Sequence, residues 1–318
     1  MRNTLSTSVV ICAYTEKRWD DLVAAVTSVQ QQTCLPHEII VVVDHNPNLL
    51  ERVRTALTGV IAIANQEAQG LGGARNSGLA VAQGAVIAFL DDDAVAAPDW
   101  LEQLNAGYQD ENVLGVGGAI EPLWVSSQPA WFPEEFQWVV GCTYRGMPQS
   151  SAPVRNLIGC NMSLRREVFA TLGGFRLGYG CDETEFCIRV HQQWPQKLLL
   201  YNPHAKVKHK VPADRARWSY FRSRCYFEGR SKAVVSWLVG RKAGLDSERS
   251  YTLRTLPKGV LRGIADTVLH SDKAGFARAF FIMAGLATTT LGYLSGSLSV
   301  MEAARERGWS EQPQQRAA

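Results

Sequence analysis

An α/β chain is what this sequence predicts: a mostly parallel sheet flanked by helices, with a C-terminal helical extension. Three observations carry that expectation. Short β-branched runs alternate with helically spaced apolar residues from Ser8 onward. A glycine-rich turn, Gln69 to Gly78, leads into a helix. The buried-looking run Ala85 to Leu90 stops abruptly at Asp91-Asp92-Asp93. Strands that alternate with helices form a parallel sheet covered on both faces.

Ser8 to Tyr14 reads as the first strand, and Leu22, Val23, Val26 and Val29 set a helix from Trp19 to Gln32. Glu38 to Val43 is a second strand, ended by Asp44-His45-Asn46. Arg52 to Leu57 is a helix and Val60 to Ala64 a third strand. Ligands of such sheets bind beyond the carboxyl ends of the strands. Tyr14-Thr15-Glu16, Asp44 and the aspartate triplet should therefore line one crevice. Three adjacent carboxylates repel one another and are costly to desolvate. They suit a divalent cation with oxygen ligands, Mg²⁺ or Mn²⁺; the alternative is a polar loop that caps a helix. Arg75, in the glycine-rich turn, suits either a diphosphate or an exposed surface position.

Pro98-Asp99-Trp100 opens another helix, and Val113 to Gly118 is a further strand. Pro122 to Pro153 is rich in Trp, Pro and Gly and lacks a period. Its aromatics form either a sugar-stacking platform or a loop packed on the sheet, with Trp131 as the candidate ligand contact.

The ordered set Ala13-Tyr14-Thr15, Val43-Asp44, Gly72 to Gly78 and Leu90 to Asp93 resembles family 2 glycosyltransferases with the GT-A (Rossmann-like) fold, over about residues 8 to 210. That resemblance implies a nucleotide diphosphate sugar donor, a divalent metal (Mn²⁺ or Mg²⁺), a hydroxyl acceptor and inversion at the anomeric carbon. It implies Ala13, Tyr14, Glu16 and Asp44 around the base, and Gly72, Arg75, Asp91 and Asp92 on the nucleotide side. It implies metal contacts from Asp91, Asp93 and His209, with His204 as the competitor, and a sugar contact from Asn161. Cys181-Asp182-Glu183-Thr184-Glu185-Phe186 resembles the family's general-base motif in reversed order; Glu183 takes the base position and Asp182 the one before it, or an N-cap. Asp91-x-Asp93-x-Val95 also matches the nucleophile motif of haloacid-dehalogenase phosphatases, although that motif normally ends the first strand of its core. A catalytically silent membrane-attached scaffold is the non-enzymatic alternative.

The chain carries a net charge of +3, unevenly spread: Lys206 to Arg262 holds fifteen Lys/Arg against four Asp/Glu. An anionic partner, diphosphate or lipid, fits such a block. No nucleic-acid module accompanies it. Seven cysteines without CxxC spacing read as reduced thiols of a cytoplasmic protein. Met1 to Ser8 is polar, so no signal peptide is expected. Residues 1–212 are expected to form the catalytic domain, with a nucleotide half to about 120 and a sugar/acceptor half over 121–212. Residues 213–303 form a basic helical extension and 304–318 a tail. Ala279 to Val300 has no formal charge and is long enough to cross a bilayer. Insertion, docking at the cytoplasmic face and soluble packing all remain open, as does homo-oligomerisation.

Overall fold

The computed structural model describes residues 5–177, 180–240 and 248–306. Residues 307–318 of the expected 304–318 tail lie outside them. The described chain forms two compact units. One takes in residues up to Glu121, 148–177 and 182–210; the other takes in 122–147, 180–181 and the chain from Val211.

The first unit is built on a curled sheet of β1 (Thr7–Ala13), β2 (Glu38–Val43), β3 (Ile61–Ala64), β4 (Val86–Asp91), β5 (Ala94–Ala96), β6 (Val113–Trp124), β7 (Ala152–Pro153), β8 (Asn161–Arg165) and β9 (Leu198–Val211). The order is β3-β2-β1-β4-β8-β6-β9-β5, with β7 also on β9. Helices α1 (Trp19–Gln30), α2 (Pro47–Ala56) and α3 (Leu71–Val81) connect the first four strands. α2 starts five residues before the expected Arg52, because a cap is available there: Asn46 Oδ1 accepts the Leu49 N–H at 3.0 Å, and Pro47 occupies the first turn. α3 lies tight on the sheet because Gly78 has no side chain; a Cβ there would meet Val10 at 2.5 Å. The core between them is Val10, Ile40, Val42, Ala74, Ile87 and Phe89, all buried.

β1 pairs in parallel with β2 and β4, and β2 with β3, as expected. The register sets Ala13 opposite Val43 and Cys12 opposite Asp91, so these carboxyl ends share one rim. Beyond β4 the direction changes: β8 is antiparallel to both β4 and β6. The stretch between β6 and β8 carries no α-helix to cover a face of the sheet, only a 3₁₀ segment and β7. α4 (Trp100–Ala106), α5 (Arg166–Leu172) and α6 (Asp182–Gln193) complete the unit. β9 is one continuous strand, paired antiparallel to β5 with His209 opposite Ala94.

The second unit holds α7 (Trp218–Val239), α8 (Leu256–His270), α9 (Ala274–Glu306) and a 3₁₀ segment, Glu134–Val140. A short π-helical turn, Tyr251–Thr255, precedes α8. The aromatic stretch expected to pack on the sheet or on a sugar packs here instead. Trp131, Phe132, Phe136, Trp218, Phe221 and Phe281 form one ring cluster, with neighbouring centroids from 4.4 Å apart. Residues 122–147 thus belong with the C-terminal helices and not with a 121–212 half, because helices supply an apolar surface that edge-to-face rings can fill.

Candidate active site

The rim formed by β1, β2 and β4 gathers most of the residues singled out in the sequence. Ala13 closes β1 and is buried, Tyr14 behind it is 55% exposed, and Glu16 is exposed at the start of a 3₁₀ turn. Asp44 is nearly buried. Its Oδ1 accepts from Asn65 Nδ2 at 2.6 Å and lies 2.8 Å from His45 Nδ1, and its Oδ2 accepts the Gly70 N–H at 2.9 Å. The carboxylate therefore fixes the glycine-rich loop to the end of β2.

The aspartate triplet divides its contacts three ways. Asp91 is partly exposed and faces Arg75, with Nη2 to Oδ1 at 3.6 Å. Asp92 is buried and meets Arg18 at 3.0 Å. Burial pushes the Asp92 carboxyl up to about 7, with Arg18 opposing and Asp93 adding to the rise. Asp93 meets Arg18 through Oδ2 at 3.1 Å and His209 Nε2 through Oδ1 at 3.1 Å. Arg18 also lies over the Tyr14 ring. Nothing in the sequence singled Arg18 out, because it sits in a polar turn among other charges.

His209 reaches the site through the alternation of β9. Ala205, Val207 and His209 point inward, while His204, Lys206 and Lys208 are exposed. His204 is thereby removed as the competing ligand. Asp91, Cys160 and His209 present ligand atoms that all lie within 4.8 Å of one another. Cys160 was read only as a reduced thiol; its place in β8's approach, next to Asn161, was the available signal. A carboxylate oxygen and an imidazole nitrogen suit Mn²⁺ or Mg²⁺, with the softer thiol a poorer partner. Around them four carboxylates (Asp91, Asp92, Asp93, Glu183) face two guanidinium groups (Arg18, Arg75), a balance that a divalent cation would correct. These residues fit such an ion.

Arg75 joins the two acidic clusters. It is only 3% exposed, which rules out the surface-cation reading. Nη1 lies 3.9 Å from Glu183 Oε2 while Nη2 faces Asp91. The guanidinium lies against Gly159, where a Cβ would stand 2.5 Å from Nη2, and beside the rings of Phe89 and Phe175. Asp182, the first residue of α6, turns elsewhere: its Oδ2 is 2.6 Å from the point a Cβ on Gly72 would occupy. Gly72 therefore serves close packing against the start of α6.

Two expected ligand contacts are corrected. Asn161 is fully buried and its amide is spent: Trp100 Nε1 donates to Oδ1 at 2.8 Å, while Nδ2 donates to the carbonyls of Ala119 (3.0 Å) and Ala205 (2.8 Å). It ties β8 to β6, β9 and α4. Asn161→Ala is expected to cost several kcal/mol, about 1–3 for each buried polar group left unpaired, read as a lower denaturation midpoint with an unchanged donor KM in the protein that folds. Trp131, in the second unit, is half-buried and packs on the rings of Phe132, Phe221 and Phe281.

The mixed sheet thus carries an acid-histidine cluster, compatible with a divalent metal, at its strand ends. Residues 8–173 match the family described as Glycosyl transferase family 2, and the chain belongs to that family. It is similar to the glucosyl-dolichyl phosphate glucuronosyltransferase of Haloferax volcanii, 32% identical over 93% of this chain and 97% of that one. It also resembles the succinoglycan biosynthesis protein ExoM of Rhizobium meliloti, 26% identical over 72% of this chain and 71% of that one. In fold it resembles the mannosyltransferase PcManGT of Pyrobaculum calidifontis, solved with GDP-Man and Mn²⁺ (TM-score 0.56, 15% identity, 91% of this chain and 88% of that one). It likewise resembles GalNAc-T7, solved with UDP, GalNAc and Mn²⁺ (TM-score 0.53, 20% identity, 73% of this chain). The chain spans about half the length of GalNAc-T7 (51%). The protein is a glycosyltransferase of the hexosyltransferase type, and the phosphatase reading falls: Asp91 ends the fourth strand of a glycosyltransferase sheet.

Proposed function

We propose that this glycosyltransferase moves a hexose or hexuronic acid from a nucleotide diphosphate sugar, with inversion, to a hydroxyl of a sugar carried on a lipid phosphate. The observation that carries the reading is the meeting of Asp91 and Glu183 across Arg75. It puts a diphosphate-compatible rim beside a carboxylate able to act as base. Ala13, Tyr14, Glu16 and Asp44 would surround the nucleoside, and Arg75 would face the ribose-phosphate side. Asp91, Asp93 and His209 would hold the divalent cation. When bound, that cation supplies positive charge to the leaving diphosphate. Arg75 adds to it from its buried position. Glu183 takes the acceptor hydroxyl proton as that oxygen attacks the anomeric carbon. Asp182, turned toward Gly72, has the poorer aim for that role.

The lipid-linked acceptor rests on the likeness to the glucosyl-dolichyl phosphate glucuronosyltransferase over nearly the whole of both chains. Incubation of the purified protein with Mn²⁺ and a panel of UDP-, GDP- and dTDP-sugars, with polyprenyl phosphate sugars or free sugars as acceptors, tests it. A glycosylated lipid product that disappears with EDTA and returns with Mn²⁺ is expected. Transfer to free sugars alone would overturn the acceptor assignment, and transfer undiminished by EDTA would overturn the metal assignment.

A further inference from the structure

In the second unit α8 and α9 each carry an uncovered apolar row. On α9, Phe276, Phe280, Met283, Leu291, Leu294 and Leu298 are all at least half exposed. Their steps of three, four and eight residues place them on one narrow strip of the helix, and from Phe276 to Met301 that strip runs about 38 Å. On α8, Leu261, Ile264 and Val268 form a second exposed row. Beside it stand the exposed cations Arg254, Lys258 and Arg262, one turn apart each, with Lys273 in the turn before α9. Arg262 is paired with Glu135; Arg254, Lys258 and Lys273 make no ion pair among the described residues.

Three partners could cover such rows. A bilayer crossing by α9 conflicts with its packing on α7. The helices touch backbone to backbone: a Cβ on Gly292 would stand 2.0 Å from the Tyr226 carbonyl, and one on Gly229 2.0 Å from that of Thr289. Tyr226 Oη donates to Ser295 Oγ at 3.0 Å. α7 brings Arg224, Glu228, Arg230 and Lys232 alongside the same stretch, charges too costly to draw into hydrocarbon. A second copy of the chain would meet the cations beside the rows with a surface as basic as their own, since Lys206 to Arg262 holds fifteen Lys/Arg against four Asp/Glu. A surface with an apolar interior and anionic headgroups fits both the rows and the cations.

We propose that α8 and α9 lie flat on an anionic lipid surface, with their apolar rows in the headgroup–acyl boundary and Arg254, Lys258 and Lys273 on the headgroups. This stands apart from the acceptor assignment, since a soluble acceptor would leave vesicle binding as it is. Flotation of the full-length protein with vesicles of phosphatidylcholine, alone or mixed equally with phosphatidylglycerol, tests it. Binding to the anionic vesicles that weakens with salt is expected. The double variant Leu291→Gln/Leu294→Gln should weaken it about tenfold or more, and Lys258→Gln about fivefold. Circular dichroism melting of each variant checks that it folds; a misfolded leucine pair would leave the lysine variant and the salt series to decide. No flotation would overturn the proposal. So would flotation that survives alkaline carbonate, which marks a spanning helix, or a dimer in sedimentation equilibrium that the leucine variant splits in the absence of vesicle binding.

Discussion

Glu183→Gln is expected to lower transfer about 10²- to 10⁴-fold, the usual contribution of a positioned general base, and to leave donor affinity within about twofold, since no proton is moved when the donor binds. The substitution keeps the side chain's length and its place near Arg75, so the rim retains its shape. What is lost is the ability to accept a proton. Single-turnover transfer alongside calorimetric donor titration separates the two. Asp182→Asn serves as the contrast: Asp182 is turned toward Gly72, and the change should cost far less than Glu183→Gln. A Glu183→Gln enzyme with half its activity or more would remove Glu183 from the mechanism.

Two residues further along the same helix, a glutamate has the opposite fate. Glu185→Ala is expected to cost about 3–5 kcal/mol of stability, the range for breaking a buried ion pair by removing one partner. Glu185 is fully buried and receives Arg189 Nε on both oxygens, at 2.9 and 3.0 Å. Arg189 carries the structure onward by donating to the carbonyls of Leu172 and Gly174, each at 2.9 Å. Burial already pulls the Arg189 guanidinium down, with Glu185 opposing, so its loss strands a charge inside the unit. Arg176, also paired with Glu185 at 3.0 Å, is half exposed and adds little. For a protein of this size the loss corresponds to a fall in melting temperature of about 6–20 °C, visible in thermal unfolding. A change below about 1 kcal/mol, the scale of an exposed pair, would show that the interior relaxes around the vacancy.

These two glutamates also mark how far the sequence was legible. The strand–helix alternation of residues 8–90 is local, written in side chains one, two or four apart, and it gave the parallel strands and the shared rim. The motifs Val43-Asp44, Asp91 to Asp93 and Asp182-Glu183 stood out because charge follows an apolar run. The alternation of β9 was there to read, and it chooses His209 over His204. What did not show was contact between distant segments. Arg18 looks like any turn cation until Asp92 and Asp93 are set beside it. Asn161 looks like a ligand-binding amide until Trp100, Ala119 and Ala205 take every polar atom it has. Trp131 looks like a sugar platform until rings from the helices at the far end of the chain pack on it. The antiparallel half of the sheet rests on pairings between distant strands, β8 on β4 and β6, which a periodicity argument does not register.

The glycine at 159 has a consequence that reaches past packing. It is uncharged and lies outside every acidic motif, yet the Arg75 guanidinium occupies the volume its side chain would need. Any larger residue there pushes the cation away from Asp91 and Glu183 together, so a steric change at one neutral position arrives at the crevice as an electrostatic one. Tolerance to substitution around this site is therefore governed by where backbone is pressed against charge as much as by which residues carry it. Attempts to reshape donor preference have more freedom along the exposed edge at Tyr14 and Glu16 than in the loop that cradles Arg75.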